Sequence, residues 1–248
     1  MGNRDGASTF AKGLRVLECF QDGRLDMSMA DIARMTGFDR ATARRLCLTL
    51  EDCGYLIKSN RTYHLSPKIV VIAGGFLTSH DIGKWVQPVL NQYAEEMSGE
   101  IALAVRDDLR AIYIARSAVA SARLSLGFSV GSTLPLLSTS IGRMLLASTP
   151  DGIRETFLLA SEPQKHTQAT LTDLGAIREK IDEAARLGFS YVEGEFELGA
   201  AGLAVPAHFI GNRQAVLGTT ASANQFARPG ELDRMLDILR RAAMSLRR

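Results

Sequence analysis

Residues 28–53, SMADIARMTGFDRATARRLCLTLEDC, restrict the fold more than any other stretch of the chain. They read as two helices joined by a tight turn. Ser28 is placed to cap the first helix, with Asp31 in the reciprocal acidic position three residues on. Met29, Ile32 and Ala33 then share one face at i, i+3, i+4. Gly37 stops that helix, because glycine takes the left-handed conformation after a helix at little cost. Asp39 caps the second helix, whose apolar stripe is Ala43, Leu46, Cys47 and Leu50. The opposite face carries Arg40, Thr42, Arg44, Arg45 and Thr49. Arg40 and Arg44 are one turn apart near the N-terminal end, which in a helix-turn-helix enters the major groove of DNA.

An ordinary amphipathic helix with a solvated basic face also carries such a stripe. Two neighbours favour the DNA-binding alternative. The preceding helix and turn have the right length and a glycine in the turn. The following residues, GYLIKSNRTYHLSP, read as a β-hairpin, with strands at 55–58 and 62–65 around Ser59-Asn60-Arg61. Its tip carries Lys58 and Arg61, so a basic hairpin follows a basic helix, as in the winged form of the motif. Between Arg40 and Arg61 the five basic residues outnumber the two acidic ones, Glu51 and Asp52. Over all 248 residues the formal net charge is only +2, so a nucleic-acid surface must be local.

A chain of this length with 46% hydrophobic residues buries one large core or two small ones. The three cysteines, Cys19, Cys47 and Cys53, are an odd count without paired spacing. That predicts core thiols in a reducing cytoplasm rather than a disulfide framework. No histidine or cysteine pair has zinc spacing, so neither metal nor cofactor is expected. The start lacks the pattern of a signal peptide, and no apolar run approaches membrane-spanning length, so no membrane partner is expected.

In chain order, residues 9–22 read as a first helix with Phe10, Leu14 and Leu17 inward, followed by Gly23. A DNA-binding domain then spans residues 1–66. Residues 67–80, PKIVVIAGGFLTSH, form a helix with Pro67 at its first position and apolar residues nearly all round. It is either a core helix of the monomer or, as favoured here, a linker helix at a dimer seam. Residues 82–97 are another helix, with Trp85, Val89, Leu90 and Tyr93 inward. From Ser98 strands are expected at 100–106, 111–116, 122–128, 189–193, 203–209 and 215–221, with Gly211-Asn212 turning the last pair. A loop, GSTLPLLSTS, precedes a short helix at 141–147. Others start at Pro150, at Thr172 (ending before Gly188) and at Pro229. This is an α+β domain with a mainly antiparallel sheet, over residues 82–248.

With these elements in place, the chain resembles the IclR family of transcriptional regulators over nearly all its length. The resemblance rests on GLRVLECF from Gly13, DIARMTGFDRATARRLCLTLEDCGYL from Asp31, LPLLSTSIGRMLLA from Leu134 and GLAVPAHF from Gly202. RATARRLCLTL is similar to the branch controlling protocatechuate and 4-hydroxybenzoate catabolism. The resemblance implies a winged helix-turn-helix, a linker helix at 67–81 and a GAF-like effector domain. It implies a homodimer that can pair into a dimer of dimers, operator DNA as partner, and no catalysis. Arg40, Thr42, Arg44, Arg45, Lys58 and Arg61 are the expected DNA-binding residues.

For the effector, Ser138, Thr139 and Ser140 precede the helix near Ile141. A helix N-terminus offers free N–H groups and partial positive charge, although these residues can equally be a cap and nothing more. The resemblance places a small organic acid there, on the backbone of Ser140 and Ile141. It adds Gly202, Thr219 and Ala221 from the late strands. Leu126, Phe128 and Leu136 are expected as apolar walls. Relatives often carry an arginine in a Gly-Leu-Arg triplet before the AVP segment; here the run is Gly199-Ala200-Ala201-Gly202, without that carboxylate clamp. The alternating carboxylates Glu193, Glu195 and Glu197 read as a solvated edge. Two rivals stand beside this reading. A serine hydrolase lacks a G-x-S-x-G elbow. In a ligand-independent DNA-binding repressor, the C-terminal domain would only oligomerise.

Overall fold

A computed structural model of the chain describes residues 4–21, 26–120, 128–209 and 213–247. Its contacts divide into two compact units, Met1–Thr78 and Ser79–Arg248. The expected strand at 122–128 (all but Phe128), the wall residue Leu126, Gly23 and the Gly211-Asn212 turn lie outside the described residues.

The first unit contains α1 (Arg4–Glu18), β1 (Met27–Ser28), α2 (Met29–Thr36), α3 (Arg40–Asp52), β2 (Leu56–Ser59), β3 (Thr62–Leu65) and α4 (Lys68–Ser79). Local chemistry sets the boundaries. The Ser28 hydroxyl accepts from Asp31 N and Asp31 accepts from Ser28 N, a reciprocal cap on α2. Gly37 ends α2 at φ 71°. Asp39 caps α3 by accepting from Thr42 N at 2.9 Å. β3 is the centre of a small antiparallel sheet, with β1 and β2 on either side. The core is Val16, Cys19, Phe20, Met27, Ile32, Leu46, Cys47, Leu56 and Tyr63. The inward face of α1 differs from expectation. Phe10 and Leu14 are 70% and 45% exposed, and Leu17 is half-buried. Val16, with Cys19 and Phe20 just beyond the helix, makes the contacts instead.

The start of α4 is fastened to the end of α3. Lys68 Nζ donates to Cys53 O at 2.8 Å and lies 4.7 Å from the centre of the Tyr55 ring. Ser66 Oγ donates to Gly54 O, and Ser66 N to Tyr55 O. The rest of α4 buries no residue within the chain: Val70, Val71 and Ile72 are at least 60% exposed.

The second unit opens with a wide helical turn at Ile82–Val86 that runs into α5 (Gln87–Met97). Ile82, Val86, Leu90, Tyr93, Ala94 and Met97 point inward, whereas Trp85 and Val89 are only half-buried. Then follow β4 (Glu100–Asp107), β5 (Arg110–Ala118), β6 (Thr133–Pro135), α6 (Ser140–Ala147), α7 (Asp151–Ala160), α8 (Leu174–Leu187), β7 (Ser190–Glu193), β8 (Ala200–Phe209), β9 (Arg213–Ser222), α9 (Ala223–Phe226) and α10 (Glu231–Ser245). The short strand β6 lies in what reads as a loop. The six strands form one antiparallel sheet in the order β6-β5-β4-β9-β8-β7. Helices α5 and α10 pack on one face, and α6, backed by α8, on the other.

Alternation along the central strands explains why α6 sits so close. The face under it presents Ala102, Ala104, Gly202, Ala204, Val216 and Gly218, nearly all glycine or alanine. The other face presents Leu103, Leu203, Val205 and Leu217. A Cβ on Gly218 would stand 2.5 Å from the Ile141 side chain, and one on Gly142 would stand 2.4 Å from Leu136 Cα. Leu136 belongs to the core under α6.

Candidate functional site

The basic face of the first unit is built on two rigid pieces. α3 turns Ala43, Leu46 and Cys47 into the core, which leaves Arg40, Arg44 and Arg45 exposed on the opposite side. In the β2–β3 hairpin, Asn60 takes φ 54° at the tip, flanked by the exposed Lys58 and Arg61. Among the described residues none of these five cations forms an ion pair, although Arg45 stands near enough to the Asp39 carboxylate to act on it. Thr42 differs. Its hydroxyl donates to Asp39 at 2.7 Å and accepts from Arg45 at 3.3 Å, so it anchors the cap. Those hydrogen bonds hold the Asp39 carboxyl below its ordinary range. Two further cations accompany this face: Lys12 and Arg15, three apart on α1, lie 6.0 and 5.2 Å from the Phe38 ring in the α2–α3 turn. Their spacing on one helix face was the available signal.

In the second unit a cavity opens at the start of α6. It holds about 430 Å³ of atom-free space, part of it open to solvent. Its head is polar. The Thr139 hydroxyl accepts from Gly142 N at 3.0 Å, and Thr139 O accepts from Arg143 N. The two preceding amides, Ser140 and Ile141, have no acceptor within the helix. Its walls are Tyr113, Phe128, Leu134, Val192 and Phe196. The three rings form a chain, Tyr113 to Phe128 at 5.8 Å edge-on and Phe128 to Phe196 at 6.1 Å, and His166 extends it to Phe196 at 5.0 Å. Gly202 contributes space: a Cβ there would stand 2.5 Å from Ser140 Oγ.

Three expected residues do not reach this cavity: Leu136, buried in the core under α6, and Thr219 and Ala221. Gly202 is paired directly with Thr220, and Leu203 with Thr219. Opposed residues of an antiparallel pair point to the same face, so Thr220 joins Gly202 in the cavity wall. Thr219 and Ala221 are buried against the opposite face. One position of slip along a strand reverses every side chain.

A charged pair at the cavity, whose Glu195 belongs to the lining, also departs from the sequence reading. Arg143, 2% exposed, donates to Glu195 through both terminal nitrogens at 2.7 and 2.8 Å, and its Nε donates to Leu137 O at 2.7 Å. Glu195 additionally accepts from Leu171 N at 3.0 Å. Glu195 is therefore no solvated edge residue, although Glu193 and Glu197 are exposed. With its carboxylate bound this way, Arg143 cannot replace the missing clamp. A lone arginine between Ile141 and Met144-Leu145-Leu146 is the sequence signal, because a charge on an apolar helix requires a buried partner.

The two units match two family models in order. The IclR helix-turn-helix domain matches residues 9–58, and the bacterial transcriptional regulator IclR C-terminal matches residues 74–248. The chain belongs to the IclR family. It is thus a DNA-binding transcriptional regulator rather than an enzyme. It is 30% identical to the Pca regulon regulatory protein of Pseudomonas putida, over 99% of this chain and 84% of that one. It is 28% identical to the p-hydroxybenzoate hydroxylase transcriptional activator of Acinetobacter baylyi, over 98% of this chain and 92% of that one. The crystal structure of an IclR homolog from Microbacterium hydrocarbonoxydans, complexed with 4-hydroxybenzoate, superposes with a TM-score of 0.75 at 24% identity. That match covers 96% of this chain and 97% of the other. Among the described residues no helix is long and apolar enough to cross a membrane.

Proposed function

We propose that this IclR-family regulator controls genes of aromatic catabolism in response to an aromatic acid bound at the head of α6. The carrying observation is the cavity itself: two helix-start amides at one end and a chain of aromatic rings along the wall. The amides of Ser140 and Ile141 receive the carboxylate, Phe128 and Phe196 flank the ring, and Gly202 leaves it room. The names of the Pseudomonas and Acinetobacter relatives, and the ligand of the Microbacterium homolog, support the same ligand class.

On the DNA side, Arg40, Arg44 and Arg45 enter the major groove, and Lys58 and Arg61 hold the backbone through the wing. Thr42 fixes the helix start through Asp39. We take residues 1–66 as the DNA-binding domain, 67–81 as a linker helix and 82–248 as the effector domain. The bare apolar surface of α4 pairs with a second copy, which places two recognition helices on two operator half-sites. Such dimers can pair again on one operator. This function belongs in the cytoplasm.

Thermal melting of the full chain with 4-hydroxybenzoate or protocatechuate tests the effector reading. A ligand at 100 times its Kd stabilises by about 2.7 kcal/mol, a rise of several degrees. An unchanged melting curve and unchanged operator affinity at millimolar acid would refute it.

A further inference from the structure

Two hydroxyl-bearing residues of the cavity wall, Ser138 and Tyr113, bear on what the cavity accepts. Ser138 is 3% exposed, and its Oγ is buried without a partner. Tyr113, 2% exposed, lines the same cavity. Four other buried hydroxyls of the unit are paired. Thr139, Thr149, Ser161 and Thr170 each donate to a backbone carbonyl at 2.6–2.8 Å. A buried polar group left unpaired costs stability, so its presence at a cavity marks a group reserved for something that enters. Burial, with the Glu100 charge nearby, raises the pKa of the Tyr113 phenol well above its ordinary value, so it stays protonated and can both donate and accept.

The two hydroxyls come from different walls. Ser138 is two residues before the first residue of α6 and so lies at the end that carries the free amides. Tyr113 rises from β5, where it is paired with Ala104 on the sheet face below α6, and its ring and that of Phe128 meet edge to face. A carboxylate has more lone-pair positions than two amides fill, which leaves one for Ser138. The Tyr113 ring stands against Phe128 in the wall, where an aromatic body would rest.

We infer that Ser138 and Tyr113 set the selectivity of the cavity: Ser138 donates a third hydrogen bond to the carboxylate, and Tyr113 reads a hydroxyl on the ring. The inference rests on the aromatic-acid reading above. A site built to pair a ligand hydroxyl rejects the analogue that lacks it, because its own polar group then stays buried and unpaired.

Isothermal titration calorimetry of the full chain with 4-hydroxybenzoate and benzoate tests it, using Tyr113→Phe and Ser138→Ala. Each substitution removes one oxygen, and melting without ligand checks that each variant is folded. Wild type should bind 4-hydroxybenzoate about tenfold more tightly than benzoate, the worth of one hydrogen bond. Tyr113→Phe should weaken 4-hydroxybenzoate about tenfold and leave benzoate unchanged. Ser138→Ala should weaken both acids by the same factor, about fivefold to tenfold. Binding of both acids with Tyr113→Phe affecting them equally, or not at all, overturns the selector role and leaves the aromatic-acid reading standing. Ser138→Ala without effect on either acid overturns its donor role in the same way. Failure of both acids to bind wild type overturns the aromatic-acid reading and this inference together.

Discussion

Replacing Glu195 by glutamine keeps the size and shape of the side chain and removes its charge. The carboxylate accepts three hydrogen bonds, two from Arg143 and one from Leu171 N, at 2.7–3.0 Å. Glutamine presents one oxygen and one NH2, so at least one Arg143 nitrogen then faces a donor. The guanidinium remains charged and 2% exposed, with Leu137 O as its remaining acceptor. Removing one partner of a buried pair costs about 3–5 kcal/mol, a large share of the roughly 5–15 kcal/mol that holds a domain together. At about 2–4 °C per kcal/mol for a domain of this size, the melting temperature should fall by roughly 6–20 °C. The chain has a single tryptophan, Trp85, in the second unit, so its fluorescence in urea follows that unit alone. The double variant Arg143→Met, Glu195→Leu separates charge from packing, because apolar residues of similar volume replace a buried pair at little cost. It should recover most of the loss. A single variant within about 1 kcal/mol of wild type, or a double variant as unstable as the single, would refute the argument.

Three other outcomes are expected. Arg44→Ala should weaken operator binding by about 1–3 kcal/mol, whereas Lys58→Ala should weaken all DNA alike and reduce the salt slope by about one; gel shifts at two salt concentrations distinguish the two, and unchanged affinity in both removes the interface. Val71→Glu, on the bare face of α4, should lower the mass measured by light scattering, and a wild type already monomeric at micromolar concentration would contradict the seam. Gly142→Ala places a Cβ within 2.5 Å of backbone atoms of Pro135 and Leu136, which cannot rotate away. It should cost at least about 1–3 kcal/mol in the same urea assay, and a neutral result would mean that α6 sits farther from that loop.

The residues most legible in the sequence were those whose role is local. Ser28, Gly37 and Asp39 act within one turn of helix, so spacing alone locates them. What required tertiary packing was read less well. Phe10 and Leu14 are the larger apolar residues of α1, yet the core is met by Val16 and the residues after the helix, because burial follows the facing surface rather than side-chain size. Thr219 and Thr220 are adjacent and chemically identical, and only the pairing of β8 with β9 decides which one faces the cavity. Glu195 resembles its neighbours Glu193 and Glu197 in spacing, and nothing within the run marks it. The mark lies 52 residues earlier, in Arg143.

The fastening of α4 to α3 has a mechanical consequence. Twelve residues of helix make a rod of about 18 Å. Lys68, Ser66 and Tyr55 weld its near end to the carbonyl end of the recognition helix, so no soft joint separates the two. A tilt of 10° imposed at α3 would sweep the far end of the rod through roughly 3 Å by the same helix length, and torque applied at that far end returns to the DNA-reading face with the opposite leverage. In the proposed dimer, small rotations of the rod would thus be geared directly into the spacing at which the two α3 helices meet the groove.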